Sequence, residues 1–520
     1  QRRRLVCRHL LLAAPFESYK DIVWNRAHAI MNQAAGRDGA GGCGTRICIG
    51  CVTLLLGVHA SLLAYSATCH SPTINEPAHL VAGICHWKHG RFDIYRINPP
   101  LVHYVAAIPA IMSGCNEDWS ALVDLPDSRS EFQVGDDFIK ANGERSIWLF
   151  TIARWACIPF SLIGGVCCFL WSRDLWESNF AGLISLFLWC FDPNILAHGE
   201  LINSDCAAAS LGLAACYCFW RWLHQPYWGR AIFAGLVLGL AVLTKATWVI
   251  LFGLWPLVWV IAELSNRRMT LQSGSQPQII RRVLMSSIRR SCQMLVIFVL
   301  GLYVLNLGYG FDGSFSKVKE FTFVSKTLTG LNKPGEMGNR FAKSWIGEIY
   351  LPVPMQFIRG IDLQKREFEN DERPSYLRGT WQRGGWWYYY LYGLTVKTPL
   401  GSQLAILLAI ISATCRVQSG AGLCSSRDPK VSLAQAEKIG HKRVTTRESA
   451  LGGTYIELLT LLLPAFAILV IASIQTQSNH HIRYVLPVLG FAHVFAGANS
   501  DWFLRPSTEK RMNLPIPTSK

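Results

Sequence analysis

Glu76 and His79 stand three residues apart in PTINEPAHLVAGICHWKHGRFDIYRINPPLVHY, residues 72–104. If Pro77 opens a helix, both side chains project from one face. A carboxylate in that position can act as a general base. The alternative is a cap, or an ion pair with Arg91 or Arg96. Downstream, Asn98-Pro99-Pro100 fixes an extended turn that aims the following helix, because each proline locks its own φ and restrains its predecessor. A second acidic turn, HGELINSD at 198–205, places Glu200 and Asp205 between two apolar runs. An ionisable residue at the start of a membrane span is by default a functional candidate. For Asp205 the competing role is an N-cap, helped by Ser204. Lys245, in GLAVLTKATW, either meets an anionic headgroup or snorkels to the interface.

Two further stretches carry aromatic rings and cations. The segment 375–401 contains Tyr376 and then Trp386, Trp387 and Tyr388, at the start of an unbroken aromatic run. Such rings bind sugar faces, and they also collect at the headgroup level as an aromatic belt. Lys397 precedes Thr398-Pro399, and Arg483 lies in HHIRYVLPV, each at the mouth of an apolar run. A guanidinium fork and a point-charge ammonium suit a phosphate. Ordinary interfacial anchoring is the other reading of both.

The elements that must position these residues are apolar helices. The chain has 520 residues, 51% hydrophobic and only 16% charged, against roughly 25% charged in a soluble domain. That excludes an ordinary soluble enzyme, disorder and collagen-like repeats. Runs near 47–67, 147–171, 180–197, 205–223, 231–244, 247–263, 292–310, 398–415, 454–474 and 483–499 predict ten spans in an all-α membrane fold. The run 101–113 is shorter and reads as an interfacial helix. The net charge of +16 belongs to cytoplasmic loops rather than to nucleic-acid binding. Arg and Lys crowd into 264–291 and 416–453, whereas the loop 68–145 is acidic in its second half. This predicts a cytoplasmic leader over 1–46, a membrane domain over 47–499 with 68–145 and 311–397 outside, and a cytoplasmic tail over 500–520. The expected location is the bacterial cytoplasmic membrane, N-terminus inside. Cys48 and Cys51 have no second pair at zinc spacing, while Cys69, Cys85 and Cys115 share one polar loop that has room for a disulfide.

Taken in order, Glu76, His79, Gly90, Phe92 and Asn98 to Leu101, then Asp205, Gly239 to Lys245, the SYLRG and GWWYYY segments with KTPL, and Arg483 to Pro487, resemble the C-type membrane glycosyltransferases. The nearest likeness is to the protein mannosyltransferases and the aminoarabinose transferase-like enzymes, over about 47–499. The resemblance implies transfer of a sugar from a polyprenyl-phosphate donor to a protein, lipid or glycan acceptor on the outer face. It implies inversion with one carboxylate as base, and it leaves room for a divalent metal but requires no other cofactor. It assigns catalysis to Glu76, Asp205 and Asn75, donor phosphate to Arg483 with Lys397 or Lys245, and acceptor or sugar to His79, Asn98, Tyr376, Trp386, Trp387 and Tyr388. One departure stands out: relatives commonly carry Asp-Glu where this chain has Asn75-Glu76.

Two other classes compete. A secondary transporter predicts ionisable residues near mid-membrane in paired broken helices. A non-catalytic membrane protein that binds lipid or glycan keeps the aromatic loop and the cations, and tolerates Asn75.

Overall fold

The computed structural model describes residues 42–272, 277–331, 336–369, 374–419, 447–475 and 481–500. Most of the expected leader, the centre of the basic loop 416–453 and nearly all of the tail lie outside the described residues. The chain divides into two compact units, Gln1–Leu54 and Leu55–Lys520. The described part of the first is the beginning of helix α1 (Gly42–Cys69). The other described residues belong to the second.

Among the described residues that unit is all-α apart from one hairpin. Five helices besides α1 among the described residues are long and apolar enough to cross a membrane: α5 (Arg145–Trp176), α7 (Ser204–His224), α9 (Leu251–Gln272), α10 (Pro277–Gly308) and α14 (Arg447–Gln475). The chain is a multi-pass membrane protein. Every one of the ten expected spans is helical, but three are short. Helices α6 (Asn179–Phe191), α8 (Trp228–Val242) and α15 (Leu486–Ala496) have 13, 15 and 11 residues. At 1.5 Å per residue each falls short of a hydrocarbon core of about 30 Å. Side-chain chemistry sets these limits. Ser178 caps α6 at one end, and Asp192 with Pro193 stops it at the other. Lys245 takes an extended conformation that parts α8 from the 3-10 turn Ala246–Ile250 leading into α9, so the runs 231–244 and 247–263 are two elements. The expected span 398–415 belongs to a pair bent by 110°, α12 (Tyr389–Lys397) and α13 (Leu400–Ser419).

The loop after α1 folds over the helix starts. Helix α2 (Glu76–His89) carries Pro77 in its first turn and ends where Gly90, at φ 62°, returns its N–H to the His86 carbonyl. Helix α3 (Leu101–Met112) follows the Asn-Pro-Pro turn and is too short to span. The two approach so closely that a Cβ on Gly83 would sit 2.0 Å from the His103 carbonyl oxygen. Helix α4 (Glu131–Asn142) packs on α2. In the second large loop, α11 (Met355–Phe368) reaches back to the first, where a Cβ on Gly360 would lie 2.0 Å from the Arg96 carbonyl oxygen. The hairpin β1 (Ser375–Leu377) and β2 (Thr380–Gln382) turns through Arg378 and Gly379, both at positive φ as a tight hairpin needs. Cys69, Cys85 and Cys115 are free thiols.

Candidate active site

A cavity of about 860 Å³ opens where the two large loops meet the beginnings of three apolar helices. Asp205 lies in the first turn of α7. Its role there is not that of the N-cap: Asn203 holds that position and accepts from the Asp205 backbone N–H at 3.0 Å. The Asp205 carboxylate is therefore left to the cavity wall, where Lys245 Nζ donates to Oδ1 at 2.7 Å and Arg483 Nε lies 3.4 Å from Oδ2. That Nε makes no hydrogen bond among the described residues. Lys245 also stands over the Tyr484 ring, 5.1 Å from its centroid, a cation–π contact. With its amide oxygen turned to the guanidinium, Asn75 accepts from Arg483 Nη2 at 2.8 Å and Nη1 at 3.2 Å.

The cavity is also lined from α11 and the 127–132 segment. Arg129 is paired with Glu367 and Glu131, and Arg366 faces Asp127 at 3.7 Å. The lining thus holds three carboxylates, Asp127, Asp205 and Glu367, against four cations, Arg129, Lys245, Arg366 and Arg483. An excess of cation suits an anionic ligand.

Glu76 is next to the cavity in sequence but not part of its lining. It is fully buried and carries four short contacts. Arg154 Nε donates to Oε1 at 2.8 Å and Nη2 to Oε2 at 2.7 Å, while the backbone N–H groups of Thr73 and Ile202 donate at 2.7 and 3.1 Å. Burial alone would raise its pKa, but the Arg154 guanidinium and these N–H groups outweigh that and hold the carboxyl below its usual range. The remaining Arg154 donors reach the carbonyls of Ala67, His70 and Ser71, so the ion pair ties the end of α1 to the start of α2. Glu200 is also buried away from the cavity, accepting from Ser66 Oγ at 2.8 Å.

Of the other expected residues, His79 and Asn98 line the cavity, and Asn98 Oδ1 accepts from Ser204 Oγ at 3.0 Å. Lys397, Tyr376, Trp386, Trp387 and Tyr388 do not line it. Lys397 is exposed at the end of α12, Tyr376 faces Trp381 across the hairpin, and Trp387 is exposed. Sequence reasoning missed Arg129, Arg154 and Tyr484. For Arg154 a signal existed, since an arginine inside a 32-residue apolar helix needs a buried partner. For Arg129 there was none. Among the described residues no three His, Cys, Asp or Glu side chains converge to hold a metal ion, and Asp205 already faces two cations, so these side chains do not make a metal cradle.

Residues 138–308 match the model of the dolichyl-phosphate-mannose-protein mannosyltransferase family, which bears out the resemblance read from the sequence. That stretch includes Arg154, Asp205 and Lys245. Among solved structures the chain is similar to ArnT from Cupriavidus metallidurans bound to undecaprenyl phosphate, at 15% identity and a TM-score of 0.42, covering 87% of this chain and 60% of that one. The apo state of ArnT gives 16% and 0.40, over 89% and 61% of the two chains. The Archaeoglobus fulgidus oligosaccharyltransferase in its apo form gives 13% and 0.37, over 87% and 50%. The chain therefore spans 50–61% of the lengths of these proteins. No curated protein sequence matches it.

Proposed function

We propose that this protein transfers a sugar from a polyprenyl-phosphate donor to a hydroxyl-bearing protein, lipid or glycan acceptor at the outer face of the membrane, with inversion at the anomeric carbon. The observation that carries the reading is the cluster of Asp205, Lys245 and Arg483 on one cavity wall, each at the beginning of an apolar helix. A phosphate held by a membrane-buried tail meets cations at that depth. Mannose is the sugar in the name of the matching family, and a hexose is the corresponding donor sugar here. The membrane domain over 47–499, with 68–145 and 311–397 outside and the N-terminus inside, belongs to the same proposal and is supported by the density of Arg and Lys in 264–291 and 416–453.

In the reaction the acceptor oxygen attacks the anomeric carbon from the face opposite the phosphate, and the bond from that carbon to the phosphate oxygen breaks. Polyprenyl phosphate leaves with the electron pair. Lys245 and the Arg483 fork stabilise the charge that develops on it, a role in which pre-aimed donors contribute most. Asp205 takes the acceptor proton; it is the one carboxylate of the three expected catalytic residues that reaches the cavity. Donor phosphate drawing Lys245 and Arg483 toward itself loosens their hold on Asp205. Asn75 keeps the Arg483 fork in plane, and Glu76 acts through Arg154 as a positioning residue.

A second reading, a membrane protein that binds the lipid phosphate without transfer, is favoured by Asn75 standing where relatives carry a carboxylate and by the two cations on Asp205. Purified protein incubated with labelled polyprenyl-phosphate sugars and a membrane-glycan extract separates the two. Transfer lost in Asp205→Asn supports the enzyme. Donor binding without movement of label in the parent supports the binder.

A further inference from the structure

Three histidines run inward from the cavity wall in one hydrogen-bonded line. His79 Nδ1 lies 2.8 Å from His103 Nε2, His103 Nδ1 lies 3.2 Å from His86 Nε2, and His86 Nδ1 lies 2.6 Å from the Arg91 carbonyl oxygen. The line is built by spacing. His79, Gly83 and His86 occupy one face of α2 at intervals of four and three residues, and the bare Gly83 lets His103 of α3 come between the two rings. All three rings are buried. Tyr95 packs edge-on against His79, with centroids 4.5 Å apart, and lies parallel to His103, while Phe92 stacks on His86.

The end of the line sets its polarity. A carbonyl oxygen only accepts, so the His86 proton is on Nδ1. A neutral His86 then has a bare Nε2, which accepts from His103 Nδ1–H; His103 Nε2 is bare in turn and accepts from His79 Nδ1–H. His79 Nε2, which has no hydrogen-bond partner among the described residues, is left as a lone pair on the cavity wall. Reversing the line would require an added proton. Burial opposes one: it pushes His79 down to about 3 and His86 to about 4, and His103 is held well below its ordinary value by burial and by its two histidine neighbours. The charges facing His79 are Asp205, Arg483, Glu76 and Arg129, two of each sign, and Asp93 faces His86.

We propose that His79 Nε2 is a hydroxyl-binding atom, held as an obligate hydrogen-bond acceptor by His103 and His86, and that it orients the acceptor hydroxyl while Lys245 and Arg483 take the phosphate. A lone pair admits an O–H donor and repels an unprotonated phosphate oxygen, so the two ends of the cavity sort the two substrates by chemistry. The identification of the hydroxyl as the acceptor's rests on the transferase reading; the polarity of the line does not.

The test is ring-nitrogen NMR on the full chain in detergent, labelled with 15N-histidine and assigned through His79→Gln. At pH 7 His79 is expected as the Nδ1–H tautomer with an unprotonated Nε2, and that Nε2 signal is expected to shift on titration with glycerol and to stay in place with inorganic phosphate. In His103→Phe, which keeps a ring against Tyr95, His79 is expected to divide between both tautomers. An Nε2–H tautomer or an imidazolium in the parent overturns the proposal. So does an Nε2 signal that ignores glycerol, or one that moves only with phosphate. A correct tautomer and glycerol response without sugar transfer leaves the proposal standing and removes the transferase reading instead.

Discussion

Glu76 and Arg154 form a bidentate pair, 2.8 and 2.7 Å between donors and acceptors, with side chains 0% and 1% exposed. The carboxylate next to the cavity is therefore spent on joining α5 to the loop that enters α2. Breaking such a pair from one side costs about 3–5 kcal/mol, because the remaining charge is buried without compensation. Glu76→Gln is expected to lower thermal stability in detergent by that order, and Glu76→Gln with Arg154→Met to recover part of it. A Glu76→Gln protein that melts with the parent but has lost transfer returns Glu76 to the role of base.

Asp205→Asn keeps the shape and removes the charge. Loss of a general base lowers the chemical step by about 10²–10⁴-fold, and here donor binding should tighten or hold, since Lys245 and Arg483 lose a competing anion. Transfer kinetics with a donor-binding assay check both halves. Unchanged turnover would move the proton to another group.

At Arg483 the fork matters as well as the charge. A charge-assisted hydrogen bond is worth about 1.5–3 kcal/mol, so Arg483→Ala should weaken binding of polyprenyl phosphate by roughly 10–100-fold and Arg483→Lys by less. Asn75→Asp places an anion on the same fork and is expected to weaken phosphate binding too. Equal affinity in the parent and Arg483→Ala sinks the phosphate assignment.

The buried histidines give the stability a direction with pH. Each has a folded-state pKa below its unfolded value of 6.5, so below that pH the unfolded chain binds protons that the native chain refuses. Stability then falls as pH drops from about 6.5, by up to about 1.4 kcal/mol per unit for each histidine. Glu76, whose carboxyl Arg154 holds below its usual range, adds a loss in the same direction further down in pH. Melting temperatures from pH 7.5 to 5 should fall more steeply in the parent than in His103→Phe. Parallel curves would mean that His103 takes up its proton in the folded chain as readily as in the unfolded one.

Orientation is checked with a membrane-impermeant thiol reagent on single cysteines at Ser275 and at the exposed Lys343, in a background lacking the native cysteines. Labelling at 343 and not at 275 in intact cells is expected. The reverse would turn the cavity to the other side of the membrane.

The apolar runs and the sparse charge of the sequence determined an all-α membrane fold, because desolvation along about 20 residues is a local property of composition. Proline placement likewise determined the start of α2 at Pro77 and the turn into α3. Asp205, Lys245 and Arg483 were legible as candidates because a polar group at the edge of an apolar run is costly wherever the chain goes, and His79 and Asn98 through the family resemblance. What the tertiary structure decided was partnership. Asn75 and Glu76 are adjacent in sequence, yet one reaches the cavity and the other turns to Arg154, 78 residues away. Lys397 and the aromatic run have the same local signal as Lys245, yet the fold leaves them outside the cavity. The polarity of the histidine line was hidden for the same reason: it is set by one carbonyl at Arg91 and by a Gly83 close enough to admit His103, and long-range hydrogen bonds of that kind leave no period or composition to read.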